Sequence, residues 1–363
     1  MKKRVVWLPY ASVEDAERRL GGIPDGIDVD LYRADGDGWP DSIADVEFYV
    51  LPYLKGEETL DRVDEMKQLK VIQTLTAGVE NFLPYVPEGV ILCNAAGVHD
   101  ASTAELAVAL ALASGRHLDH FARNQPSGIW DSRFGTSLAD QRVLIIGYGH
   151  IGAAIEHRLA GFEVASVTRV ARRPRSDPVR VHRVEELPRL LPKADLVFLV
   201  APHTAQTEGM IGGEELAALP DDAVLVNVAR GRLVDTDALL AETSTGRIRA
   251  ALDVTDPEPL PPEHPLWRTP GVLISPHVGG GSTAFFPRAD RLIAAQLGRF
   301  AAGQELENII TLRPLRRLSR RPLIPIASSA RSFPESCPLD GSMRTIGPWR
   351  FSISAPGTQD MPW

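Results

Sequence analysis

The segment RVLIIGYGHIGA at 142–153 constrains this chain more than any other. An apolar run of strand character leads straight into Gly147, Gly149 and Gly152, spaced G-x-G-x-x-G, and a helical stretch follows. Glycines so spaced allow a tight strand-to-helix turn and let a pyrophosphate approach the helix N-terminus, where unpaired N–H groups and the helix dipole favour an anion. Alone the motif is weak, because a Gly-rich turn without a ligand has the same composition. Between a buried strand and a helix it points to a dinucleotide site in a parallel sheet.

The flanking pattern agrees. Short apolar runs at 142–149, 163–170, 194–202, 223–231, 248–254 and 272–280 alternate with helical stretches, as parallel α/β sheets require. An earlier series reads as strands at 4–10, 46–52, 71–78 and 90–97. Between the two series, 101–124 predicts one long Ala/Leu-rich helix, and 284–303 predicts another, broken early by Pro287. The expected architecture is a doubly wound, Rossmann-type cofactor domain (101–283) inserted into a smaller flavodoxin-like α/β substrate domain (1–100 and 284–312).

Composition narrows the class. A length of 363 residues suits two domains. The net charge of −8 leaves no electrostatic footprint for nucleic acid or an anionic membrane. Two cysteines, Cys93 and Cys337, cannot build a disulfide framework or a four-thiolate metal site, so no metal is expected and a reducing cytoplasm fits. The basic start MKKR is followed by too short an apolar run for a signal peptide and reads as a first buried strand. No run reaches the ~18 apolar residues of a membrane span. From Arg313 onward eight Arg, eight Pro and eight Ser replace any periodic pattern, which predicts a disordered tail outside the fold.

Cofactor choice is legible after the second strand of the second series. An NAD site wants Asp or Glu about 20 residues past the glycines, to bind the ribose 2′-OH. Here the stretch is TRVARRPR (168–175), with no acid and with Arg169, Arg172 and Arg173 as candidate partners for a 2′-phosphate. NADP(H) is favoured, with NAD(H) possible. Three polar residues then fall at or just past strand ends: Arg230 in NVARG, Glu258 in DVTDPEPL and His277 in SPHVGG. Doubly wound sheets place ligands there. The set suits reduction of a 2-keto acid: Arg230 forks onto the carboxylate, His277 gives the carbonyl oxygen a proton, and Glu258 orients and charges the imidazole.

At these residues the chain resembles the D-isomer-specific 2-hydroxy-acid dehydrogenase family, over about residues 45–312. The resemblance is carried by LTAGVENF (75–82), TAELAVALALA (103–113), VLIIGYGHIG (143–152), NVARGRLVD (227–235), LDVTDPEPLP (252–261) and SPHVGG (275–280). It implies that Arg230, Glu258 and His277 are catalytic and that backbone groups at Ala77, Gly78 and Gly279 face the substrate. It also implies that Thr103, His150, Ile151, Thr207 and Asp253 face the cofactor. RRPR (172–175) with DVTDPEPLPPEHPL looks most like the branch that reduces glyoxylate and hydroxypyruvate with NADPH. A homodimer joined through the cofactor domain, with the 101–124 helix contributing, is the family expectation.

Two departures stand out. The NAD-selecting acid is missing, and the Arg/Pro/Ser tail has no family counterpart. A formate dehydrogenase would carry an amide where Glu258 stands. The competing reading is a nucleotide-sensing interaction protein of the same fold, as in corepressors. A basic tail that binds nucleic acid is weaker than a solvated one.

Overall fold

A computed structural model describes residues 3–310 apart from Asp37, so the expectation for the 313–363 segment lies outside the described residues. The chain opens with β1 (Arg4–Leu8), α1 (Val13–Leu20), β2 (Ile27–Leu31), β3 (Val46–Val50), β4 (Val71–Gln73) and β5 (Ile91–Cys93). These strands pair in parallel in the order β2-β1-β3-β4-β5, the flavodoxin-like arrangement. Alternate residues point to opposite faces of a strand, and both faces here are apolar. Val6, Leu8, Phe48 and Val50 pack in one buried cluster, while Trp7, Tyr49, Leu51 and Ile72 pack in another.

The chain then builds a second sheet. It runs through α2 (Asp100–Gly115), α3 (Leu118–Asn124), β6 (Arg142–Ile146), α4 (His150–Leu159), β7 (Ser166–Val170), α5 (Leu187–Leu190) and β8 (Leu196–Leu199). It continues through α6 (Gly213–Ala217), β9 (Val224–Asn227), α7 (Thr236–Ser244), β10 (Arg249–Leu252) and β11 (Val272–Ile274). All six strands are parallel, in the order β7-β6-β8-β9-β10-β11. In β6, Val143 and Ile145 join Ala104, Ala107 and Ala111 of α2, while Leu144 and Ile146 join the cluster on the other face. Burying each such aliphatic side chain contributes about 1.5–3 kcal/mol. That is why a central parallel strand reads as an unbroken apolar run.

Finally α8 (Phe285–Ala302) and β12 (Ile309–Ile310) return to the first sheet. β12 pairs antiparallel with β5, and Ala289, Ile293, Leu297 and Phe300 of α8 pack with Phe48 and Val50. The second sheet is thus inserted in the chain of the first. Two α/β domains result.

Two sequence expectations need correction, and one strand was missed. The 101–124 stretch is not one helix. It breaks at His117, whose φ of +55° is left-handed. The carbonyls that would extend α2 are already claimed: Ser114 O accepts from Arg249 Nη1 at 2.9 Å and Gly115 O from Thr136 N at 2.8 Å. Pro287 breaks nothing, because α8 starts at Phe285 and its first turn has no intrahelical acceptor for that missing N–H. The strand β2 escaped notice because IDVDL alternates with aspartates, as an edge strand does.

Candidate active site

Gly147 leaves β6 with φ +105°, and a Cβ there would lie 2.4 Å from Ala201 N and 2.5 Å from Val200 C, just past β8. The glycine loop therefore sits at the switch point, where the chain crosses from β7 back over β6 to β8. Gly149 caps α4, and a Cβ built on it would meet nothing within 4 Å. An open space facing a helix N-terminus fits a pyrophosphate. His150 opens the helix, exposed, with Nδ1 3.5 Å from Asp100 Oδ2. Gly152 is buried, and Ile151 packs against the core cluster beside α2.

The arginines divide unequally. Arg169 is committed within the protein: its Nε donates to Glu156 Oε2 at 2.6 Å, its Nη2 pairs with Glu156 Oε1, and its Nη1 donates to Val167 O at 3.1 Å. Tyr148 donates its hydroxyl to the same carboxylate at 2.6 Å. The hydrogen bond from Arg169, against an opposing push from burial, holds the Glu156 carboxyl below its ordinary range. Arg169 is thus not available to a phosphate as the sequence suggested. Arg172 and Arg173 are exposed and take no ion pair among the described residues. Arg175, which the sequence reading did not select, lies over the Tyr148 ring at 5.3 Å from its centroid.

Beyond β9 the Asn227 side chain shapes the turn to Arg230. Its Nδ2 donates to Arg230 O at 2.9 Å and its Oδ1 accepts from Ala229 N at 3.0 Å. The guanidinium leans on the other domain. Nη2 lies 3.7 Å from Glu80 Oε2, and a Cβ on Gly78 would fall 1.9 Å from that same nitrogen. Only a residue without a side chain lets the two approach so closely. The N–H groups of Ala77 and Gly78 find no partner among the described residues, and Gly78 itself lies against the guanidinium.

His277 donates through Nδ1 to Glu258 Oε1. That bond, opposed by burial, raises the His277 pKa above its ordinary value, and the nearby Arg230 charge pulls slightly the other way. Burial pushes the Glu258 carboxyl up, but the bond and charge of His277 outweigh it, and the net shift is downward. The backbone of His277 is left-handed, with φ +52°. Such strain in a non-glycine residue persists where the surroundings over-determine it. Here Asp253 supplies the constraint. Its carbonyl accepts from His277 N at 2.8 Å; its Oδ1 accepts from Ser275 Oγ at 2.6 Å and Val278 N at 2.9 Å; its Oδ2 accepts from Gly279 N at 2.8 Å.

This changes several sequence assignments. Asp253 is only 2% exposed and braces the histidine loop, rather than presenting a free carboxylate to a cofactor. Gly279 has its N–H committed to Asp253, so that donor is not free for a substrate. Thr207 closes its own loop, donating to Pro202 O at 2.8 Å and accepting from Thr204 N at 2.8 Å. Thr103 is buried in the first turn of α2 against Gly279. Glu80, Asn227 and Ser275 were missed. Asn227, three residues before Arg230 at a strand end, carried the usual signal of an Asx turn; Glu80 carried none.

With this geometry in place, three comparisons bear on it. The sequence profile "D-isomer specific 2-hydroxyacid dehydrogenase, NAD binding domain" matches residues 108–279. A glyoxylate reductase of Thermofilum pendens is 31% identical over 72% of this chain and 81% of its own length. The chain belongs to the D-isomer specific 2-hydroxyacid dehydrogenase family. A solved NADPH-dependent glyoxylate/hydroxypyruvate reductase from Sinorhizobium meliloti, in complex with NADP and malonate, is 25% identical. It covers 88% of this chain and 100% of its own, with a TM-score of 0.70. The D-3-phosphoglycerate dehydrogenase of Methanocaldococcus jannaschii is 31% identical over 70% of this chain. The chain spans only 50% of that protein's length, and 62% of the Archaeoglobus fulgidus counterpart.

Proposed function

We propose that the protein reduces small 2-keto acids, glyoxylate or hydroxypyruvate foremost, to D-2-hydroxy acids with NADPH. The observation that carries this is the convergence of Arg230, the free N–H groups of Ala77 and Gly78, and the His277–Glu258 pair. Arg230 holds the substrate carboxylate by a planar fork, helped by the two amides. His277, kept protonated by Glu258, delivers a proton from Nε2 to the carbonyl oxygen. A bound nicotinamide supplies the hydride. Its pyrophosphate would lie over Gly147–Gly152, and Arg172 and Arg173, with Arg175 beside Tyr148, would receive the 2′-phosphate. The limits of the cofactor-binding domain are taken at about residues 100 and 284.

A homodimer is part of this reading. Leu118, Ile129, Trp130 and Phe134 are exposed on and after α3, with Trp130 at 97%, and this apolar face is what supports a second copy covering it. The deciding experiment is a panel of 2-keto acids assayed with NADPH and NADH in parallel. Turnover with glyoxylate or hydroxypyruvate, reduced about 10²- to 10⁴-fold in His277→Ala, is the expected result. Nucleotide binding without turnover of any 2-keto acid would favour the sensing protein instead.

A further inference from the structure

The first crossover between the domains carries a histidine that the reduction itself does not use. His99 immediately precedes α2 and is 8% exposed. Its Nε2 lies 2.8 Å from Leu75 O, so it is the protonated nitrogen and donates to that carbonyl. Leu75 opens the loop that presents the Ala77 and Gly78 amides. The ring is stacked on Phe285, at 5.2 Å and 10°, and on Tyr53, at 5.8 Å and 19°. Phe285 is the first residue of α8, at the second crossover, and Tyr53 follows β3. The other ring edge touches the end of the histidine loop. A Cβ on Gly280 would sit 2.6 Å from His99 Nδ1, a buried nitrogen with no hydrogen-bond partner among the described residues.

From the first crossover, one ring therefore reaches the loop beside Arg230, the tail of the His277 loop, the second crossover at Phe285 and, past β3, Tyr53. We infer that His99 is a positioning residue, which fixes the 75–78 loop relative to the His277 loop so that the Ala77 and Gly78 donors and the proton donor address one substrate. This rests on reading 75–78 as the substrate loop. An aliphatic side chain could fill the volume, but it would leave Leu75 O without its buried donor. The ring fills the stack with Phe285 and Tyr53, while the nitrogen at the Nε2 position is what holds the carbonyl and aims the loop. Among the natural side chains with a donor at that reach, histidine supplies both.

The test separates these parts. His99→Phe keeps a flat ring against Phe285 and Tyr53 but cannot donate; His99→Gln restores a donor near the Nε2 position without the ring. Losing one buried hydrogen bond that aims the loop should raise KM for the keto acid about tenfold in His99→Phe. The dissociation constant for NADPH should stay within about twofold, and His99→Gln should recover most of the KM. Hydrogen exchange provides a readout that does not need turnover. Amides in the 75–82 peptide should exchange faster in His99→Phe and be slowed again in His99→Gln, while the 143–152 peptide stays unchanged. An unaltered 75–82 peptide in His99→Phe overturns the inference, as does a Gln variant no better than Phe. Faster exchange at 75–82 in a protein that reduces no 2-keto acid would uphold the positioning role and reject the proposed reaction.

Discussion

Glu258 and His277 are nineteen residues apart in the chain, yet Glu258 Oε1 meets the imidazole at Nδ1, which leaves Nε2 without a partner among the described residues. Reduction requires the protonated ring, so the rate should fall as pH rises through the raised His277 pKa. In Glu258→Gln the amide keeps the shape but not the charge, and that falling limb should move to lower pH. Stability follows the same pair. His277 is raised, so its share is complete below its ordinary 6.5 and is lost as pH climbs through the folded value. Glu258 is lowered, so its share is complete above its ordinary 4.5 and is lost as pH falls through the folded value. The melting-temperature gap between wild type and Glu258→Gln should be widest between those two values. An unmoved pH–rate profile would remove Glu258 from this role.

Arg230→Lys keeps the charge and discards the fork. The loss should appear in both KM and kcat, by about tenfold or more in kcat/KM, since one charge-assisted hydrogen bond is worth roughly 1.5–3 kcal/mol. Steady-state kinetics decide it, and wild-type constants in the variant would end the assignment of Arg230 as the carboxylate clamp.

Glu80 stands 3.7 Å from Arg230, where it would compete for the guanidinium with the carboxylate of the proposed substrate. Both side chains are partly exposed, so the pair is weak, at about 0–1 kcal/mol. Glu80→Gln should therefore lower KM for a 2-keto acid by up to about fivefold, with the gain shrinking at high salt. A KM that rises instead would make Glu80 a support for Arg230 rather than its competitor.

Removing Arg172 and Arg173 together tests cofactor choice. Each is exposed and uncommitted, and NADH lacks the phosphate they would bind. The double alanine variant should raise KM for NADPH about tenfold or more and leave NADH nearly unchanged. The ratio of kcat/KM for the two cofactors, at fixed salt, is the measurement. A wild-type preference for NADH sinks the assignment.

The inserted-sheet architecture was legible because buried parallel strands are uniformly apolar and the glycine loop marks where a sheet starts. Arg230, Glu258 and His277 stood out as candidates for a related reason: each is a polar residue at or just past a strand end, where doubly wound sheets place ligands. What stayed hidden depended on long-range contacts. Arg169 looked like a phosphate ligand until Glu156, thirteen residues earlier, took its guanidinium. Asp253 looked like a cofactor ligand, but the strained turn at His277 claims its carboxylate. The α2 break depends on Thr136 and Arg249, distant in sequence and adjacent in space. No local pattern could announce it.

The bare Cα of Gly78 meets Arg230 where the two domains come nearest the chemistry. That clearance is set by the absence of a single methyl group. A side chain at position 78 would act as a spacer, prising the guanidinium away from the Ala77 and Gly78 amides while leaving the His277–Glu258 pair in place. Under the proposed reaction, the size of acid that fits would thus be set in part by the side chain missing at Gly78, the same residue whose amide is one of the donors.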